Sequence, residues 1–405
     1  MHATSSIVVF GRQPELGLAE LEAIYGSRRI KPVSSHAAII SLPPQEIALN
    51  RLGGSVRLGA LLSTLQSRNW QKITAELLYT IPEHAVTMPE GKIRIGISHI
   101  GSGVSVKQLN AAALELKKHI RAVGRSARAV PSIGPQLNAG QVVHNQLLGP
   151  TGCELLIIPG HGQAVIAQTM QLQDVAAYAA RDQKRPKRDA RVGMLPPKLA
   201  QIIINLAVSQ PPSSVASARL SVLDPFCGTG VVLQEAMLMG YDAYGTDLEP
   251  RMIEYSQVNL EWLTTQKQLT SIYPNPSINY QLDSADATNH DWQQPFSTIA
   301  CETYLGRPLS SLPAPDTLSE ITSAADTIHR KFLANVARQT KPGFRMCIAV
   351  PAWKTARGFK HLKTLDNLAS LGYNRVRFVH VDTRNLIYHR PDQLVARELV
   401  VLERI

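Results

Sequence analysis

Residues 220 to 247, LSVLDPFCGTGVVLQEAMLMGYDAYGTD, admit few folds. An apolar run through Leu220, Val222 and Leu223 stops at Asp224-Pro225, because proline has no N–H to give to a strand ladder. The turn Phe226-Cys227-Gly228-Thr229-Gly230 follows, and Val231, Val232, Leu233, Ala236 and Met237 then mark a helix that Gly240 closes. A second short strand, Asp242 to Gly245, ends at Asp247. Strand, Gly-rich turn, helix and strand make a βαβ unit, the opening of a doubly wound parallel sheet. Gly228 and Gly230 suit a backbone that takes positive φ or lets a ligand come close. Asp224 and Asp247 lie 23 residues apart, each at the end of a strand. The second stands where a carboxylate would meet ribose hydroxyls.

The turn is not the G-x-G-x-x-G of dinucleotide sites. Acids on both sides of it suit a cationic amino-acid end and a ribose better than a pyrophosphate. Asp224-Pro225-Phe226-Cys227-Gly228-Thr229-Gly230 resembles the S-adenosylmethionine (SAM) motif of class I methyltransferases, in the D-P-F-x-G-x-G form of enzymes that methylate exocyclic amino groups. The resemblance implies an α/β, Rossmann-like domain with SAM as cofactor, held by Asp224, Phe226, Gly228, Gly230 and Asp247. It adds Asp286, which follows a third strand near Ile278 to Leu282, where such enzymes commonly place an acid that accepts from the adenine amino group.

A chain of 405 residues has room for two or three domains, and its 44% hydrophobic and 18% charged residues are globular values. No segment is apolar for long enough to span a bilayer, and the start lacks the pattern of an export signal. Cys153, Cys227, Cys301 and Cys347 are scattered, so neither a metal site nor a disulfide framework is expected, and a reducing cytoplasm fits. The net charge of +11 favours an anionic macromolecule as partner.

Taken in order, residues 1–53 read as a small α+β module: a strand at Ser6 to Phe10, a helix opened by Pro14-Glu15, strands around Ala37 to Leu42, and a helix from Gln45 to Leu52. Residues 54–172 read as a second module. In it Lys92 to Ile97 alternates like a strand, and Ser105 caps a helix with Leu109, Ala113, Leu116 and Ile120 on one face. Its other face carries Lys107, Lys117, Lys118 and Arg121, with Arg125 and Arg128 following, a candidate surface for phosphates. A helix near Ala139 to Leu147 and strands at Cys153 to Ile158 and Gln163 to Met170 complete it. Residues 173–192 form a basic linker, in which Arg181, Lys184, Arg185, Lys187, Arg188 and Arg191 are placed to touch phosphates or to close over the cofactor. The methyltransferase-like domain occupies 193–405, with later strands at Ser297 to Cys301, Arg345 to Val350, Arg375 to Val381 and Glu398 to Leu402, the last two an antiparallel pair.

Most of the chain resembles the THUMP-domain tRNA methyltransferases of the guanosine-N2 type. The similarity runs from Phe10-Gly11-Arg12-Gln13-Pro14-Glu15-Leu16-Gly17-Leu18-Ala19-Glu20, through the basic middle module in the THUMP position, to Gly193-Met194-Leu195-Pro196-Pro197-Lys198-Leu199-Ala200 and the Gly-rich turn. It implies tRNA as substrate, gripped by a THUMP-like RNA-binding domain. One departure stands out. The family's Asp/Asn-Pro-Pro-Tyr-Gly after the fourth strand is here Cys301-Glu302-Thr303-Tyr304-Leu305-Gly306. The family's acid and a proline carbonyl accept the hydrogens of a poorly nucleophilic amino group, while the ring stacks on the flipped base. Glu302 and Tyr304 are the candidates for these roles. A SAM-binding but catalytically silent RNA binder, or an amino-methyltransferase acting on DNA, are the alternatives.

Overall fold

The computed structural model describes residues 4–189, 194–208, 219–267, 271–273, 275–307, 309, 311–356 and 358–405. The chain forms two compact units. The first comprises residues 1–14, 28–49 and 55–173; the second takes 15–27, 50–54 and 174–405.

The first unit is built on one sheet. Its strands are β1 (Ser6–Phe10), β2 (Ile30–Ser34), β3 (Ala37–Ile40), β4 (Ser55–Leu65), β5 (Ile93–His99), β6 (Ala127–Ala129), β7 (Gly152–Pro159) and β8 (Ala164–Leu172), in the order β2-β3-β1-β4-β8-β7-β5-β6. The expected break at 53/54 is therefore absent, because β4 pairs with β1 on one side and β8 on the other. The expected helix at Gln45 to Leu52 is only two short 3-10 turns, Pro44–Glu46 and Leu49–Arg51. Asn50 to Gly54 joins the second unit instead, and Gly53 and Gly54 give their N–H groups to Glu20.

Against this sheet lie two helices, α2 (Trp70–Thr87) and α3 (Val106–Ala122). The reading of α3 is accurate in detail: Leu109, Ala113, Leu116 and Ile120 are all buried. Ser105 and Gln108 form a capping box, a device that stabilises a helix start by about 1 kcal/mol. Helix α2, which the sequence reading did not anticipate, carries Pro82 in its interior at the loss of one backbone hydrogen bond. The short helix α4 spans Ala139–His144.

The second unit starts with α1 (Pro14–Tyr25) and continues with α5 (Val175–Gln183), inside what the sequence suggests is a linker. Asp174 caps α5 by accepting from Ala177 N at 2.9 Å. Then come α6 (Pro197–Val208), β9 (Ser221–Asp224), α7 (Val231–Leu238), β10 (Asp242–Asp247), α8 (Pro250–Thr265), β11 (Tyr280–Ser284), β12 (Thr298–Glu302) and α9 (Pro315–Gln339). The chain closes with β13 (Arg345–Thr355), β14 (Gly358–Lys360), β15 (Tyr373–Arg375), β16 (Ile387–Tyr388) and β17 (Val395–Arg404). The main sheet runs β11-β10-β9-β12-β13-β17-β15. Strands β9 to β13 are mutually parallel, and β17 runs antiparallel between β13 and β15.

The expected strand at Arg375 to Val381 is cut short at Arg375. Beyond it, Val379 N and His380 N turn away to donate to the Glu22 carboxylate on α1, at 2.6 and 3.0 Å. Helix α1 is fixed from its other side as well, where the buried Glu20 accepts from Asn205 Nδ2 on α6 at 2.8 Å. Burial raises the Glu20 carboxyl to about 7, against the pull of the three N–H groups it accepts.

Candidate active site

The order β11-β10-β9-β12 reverses direction between β9 and β12, and in an open parallel sheet a ligand crevice opens at the carboxyl ends of strands at such a point. Asp224 ends β9 and Glu302 ends β12, with Asp247 one strand further out at the end of β10. The two neighbouring carboxylates, Asp247 and Glu302, both act on Asp224, whose carboxyl is pushed well above its ordinary range first by burial and then by their charge.

The turn after β9 is held by its backbone. Asp224 Oδ1 accepts from Phe226 N at 3.1 Å, Cys227 N donates to Thr246 O, and Asp247 Oδ2 accepts from Gly228 N at 2.9 Å. Asp247 Oδ1 takes Glu249 N, so each oxygen keeps a lone pair for a further donor. Gly228 and Gly230 have φ of +51° and +79°, in the left-handed region. A Cβ on Gly230 would stand 2.9 Å from Ser256 Oγ, whereas one on Gly228 would meet nothing nearer than Phe226 O at 4.0 Å. The backbone at Gly228 is thus open, and at Gly230 it is packed. Phe226 sits edge-on to the buried Phe332 of α9, with centroids 5.1 Å apart. Asp286 lies in the turn after β11, where it accepts from Thr288 N, while Ala285 N donates to Asp247 O.

The turn after β12 is held differently. Glu302 Oε1 accepts from Arg397 Nε at 2.6 Å, and Arg397, on β17, is itself buried. Burial raises the Glu302 carboxyl and the guanidinium opposes that rise. Thr303 is buried and bonds His329 Nε2 at 2.6 Å, and the other ring nitrogen faces Ala325 O at 2.7 Å. Nδ1 must donate to that carbonyl, so the neutral ring accepts from the Thr303 hydroxyl; burial favours this uncharged form. Tyr304, next in line, is 43% exposed, and Gly306 has φ +89°.

The basic residues of the sequence reading divide. Lys117, Lys118, Arg121 and Arg128 stand at or near the surface, Lys118 paired with Glu115 at 2.9 Å. Arg125 does not lie free on that face. It donates to Ala85 O, Met88 O and Pro89 O, and so satisfies the last carbonyls of α2. In the expected linker, Lys184 and Arg188 are exposed, but Arg185 is buried and donates to Thr229 Oγ1. Lys187 is bound through its main chain to Asn259 of α8 and holds its ammonium over the Tyr255 ring. Arg191 lies outside the described residues.

Arg397, Asn259 and the Thr303–His329 pair were not anticipated. Arg397-Glu398 did leave a signal, since two charges interrupt the apolar run of β17 and a buried charge must find a partner.

No family model matches the chain. An 82-residue stretch is 43% identical to a tRNA (guanine(10)-N2)-dimethyltransferase of Methanothermobacter thermautotrophicus, covering 20% of this chain and 22% of that protein. A 68-residue stretch is 41% identical to the enzyme of the same name from Pyrococcus abyssi, covering 17% and 18%. The chain thus matches about a fifth of the length of these curated relatives. Among solved structures, TrmN from Thermus thermophilus overlays on 99% of this chain and 100% of its own, with a TM-score of 0.52 and 16% identity. The second unit has a class I methyltransferase fold.

Proposed function

We propose that this protein is a SAM-dependent RNA methyltransferase acting on the exocyclic N2 amino group of a guanosine in tRNA. The observation that carries the reading is the open, left-handed backbone at Gly228, set between Asp224 and Asp247 at the carboxyl ends of adjacent parallel strands. These residues fit SAM. Asp247 keeps acceptor sites for ribose hydroxyls, Asp224 and the turn face the amino-acid end, and Asp286 lies one strand further out toward the adenine side. Bound there, SAM would supply an electrophilic methyl group. The high identity of two stretches to guanine-N2 dimethyltransferases supports the choice of target.

The protein's own part is to bring the amine into place and take up its hydrogens. Glu302 accepts from Arg397, which favours its charged form, and keeps a second oxygen for an N–H of the target. The exposed ring of Tyr304, two residues on, suits stacking on a flipped base. The interaction with Glu302 strengthens as positive charge grows on the nitrogen, so it acts on turnover more than on binding. The exposed cations of α3, with Arg128, and Lys184 and Arg188 are the proposed tRNA contacts, in a THUMP-like role for residues 54–172.

The full chain incubated with SAM and bulk tRNA should yield N2-methylated guanosine on mass spectrometry of the nucleosides. Glu302→Gln should lower the rate about thirty- to a thousand-fold with little change in SAM affinity. A full-rate Glu302→Gln enzyme would remove Glu302 from the chemistry. The Glu302–Arg397 pair also favours a second reading, a SAM-binding RNA binder without transfer, because an acid committed to a buried guanidinium can be structural. Wild-type protein that binds SAM and tRNA but leaves every nucleoside unchanged would decide for it.

A further inference from the structure

Arg185 is only 3% exposed, and among the described residues no carboxylate is bonded to its guanidinium. Nη1 donates to Thr229 Oγ1 at 3.3 Å, Nη2 stands 4.0 Å from Met194 Sδ, and Nε has no partner. The closest acids in charge terms are Asp182 and Glu235. Glu235 is already committed to the buried Arg181 at 2.8 Å. Taking a guanidinium out of water without a paired anion is costly, and proteins rarely leave such a group uncompensated unless something else completes it. Burial accordingly pulls the Arg185 pKa down.

Its neighbour is the Gly-rich turn. Thr229 lies between the two left-handed glycines, and Asn259 Nδ2 ties Thr229 O and Lys187 O together at 2.9 and 3.0 Å. The segment around Arg185 is thereby fixed to the turn from both sides, before any ligand arrives. A phosphate of an RNA backbone is too bulky and too hydrated to follow a side chain this deeply buried. A small carboxylate delivered along the open backbone at Gly228 is of the right kind, since a guanidinium matches it with two parallel hydrogen bonds.

We infer that Arg185 receives the α-carboxylate of the amino-acid end of SAM, so that the chain at Arg185, just past α5, is part of the cofactor site. This rests on the SAM reading given above. Arg185 is then a binding residue, and Asp224 with the turn serves the ammonium end of the same zwitterion.

The test is calorimetry on the full chain with two ligands: S-adenosylhomocysteine, and 5′-methylthioadenosine, which has the nucleoside and thioether but no amino acid. Arg185→Met should weaken S-adenosylhomocysteine about 10- to 100-fold and leave 5′-methylthioadenosine within about two-fold, because only the first carries a carboxylate. Arg185→Lys should recover part of the loss. Equal weakening of both ligands, or of neither, overturns the inference, since a merely structural arginine does not distinguish them. Should the Met variant fail to fold, the wild type decides. Decarboxylated SAM must bind at least about ten-fold more weakly than SAM, and equal binding sinks the assignment. If the wild type binds no S-adenosylhomocysteine at all, the SAM reading itself falls and takes this one with it. Binding that is strong but indifferent to Arg185 removes the inference alone.

Discussion

The turn after β9 and the turn after β12 sit side by side at the reversal point of one sheet; the first begins with a buried acid, Asp224, and the second with a half-buried one, Glu302. They solve the same electrostatic problem in opposite ways. Among the described residues Asp224 accepts from one backbone N–H, and burial, then the charges of Asp247 and Glu302, make it harder to ionise. Glu302 has a guanidinium at 2.6 Å. The first turn is shaped by main-chain geometry and leaves its acid without an internal cation. The second has an internal cation, which orients its acid and opposes the rise that burial imposes on it. A crevice with one uncompensated acid and one compensated acid offers a ligand two distinct ends.

The comparison can be broken most forcefully at Arg397. Removing it leaves the half-buried Glu302 without its partner, which costs up to about 3 kcal/mol, less than for a fully buried pair. Arg397→Ala should lower the unfolding free energy by that amount in urea or guanidinium titration. A loss under about 1 kcal/mol would mean that Glu302 simply protonates, and that the two turns are alike.

The first turn should respond to main-chain change instead. Gly230→Ala forces a Cβ to within 2.9 Å of Ser256 Oγ at φ +79°. The left-handed conformation alone costs an alanine about 1–2 kcal/mol, so roughly 2 kcal/mol of destabilisation is expected in the same titration. A neutral Gly230→Ala would show that the turn tolerates side chains, and would weaken the case that its glycines are there for geometry.

The smallest effect is a slope with pH. The Asp224 carboxyl is raised in the folded chain, so the fold prefers it protonated. Its contribution to stability is therefore fully present below the ordinary carboxyl value of 3.8 and declines as pH rises from there toward the raised folded value, by at most about 1.4 kcal/mol per pH unit. Asp224→Asn should flatten that decline. Glu302→Gln should alter the slope less, because Arg397 opposes the rise of its carboxyl. Unfolding measured across pH 4 to 7, in roughly half-unit steps, checks this. A larger slope change from Glu302→Gln would reverse the assignment of which acid is compensated.

Which parts were legible follows from the range of the interactions involved. The βαβ unit, the Gly-rich turn and helix α3 are written in local spacing, and the structure has them within a few residues of where sequence reasoning sets them. Arg397 and Glu302 are 95 positions apart, and nothing near Glu302 in sequence says that it has a cation. Arg185 reads as one more charge in a basic run, and only packing against Thr229 singles it out. The first sheet was misdivided for a related reason: β1 and β4 are joined by pairing across 45 residues or more, while helix α1 between them goes to the other unit.

That last feature bears on how the protein is made. Helix α1 is docked by Asn205 through Glu20, 185 positions further on, and by the backbone of Val379 and His380 through Glu22, 357 and 358 positions further on. A ribosome adding roughly 5–20 residues per second needs about 20–70 s to synthesise that much chain. Until α6 is made, the apolar face of α1 waits for the surface that Leu199, Ala200 and Ile203 supply, while β1 on its N-terminal side already has partners. The contacts of α1 in the second unit are therefore complete only after His380 has left the tunnel. Chaperone dependence in the cell should track this waiting helix, and not the stability of the finished protein.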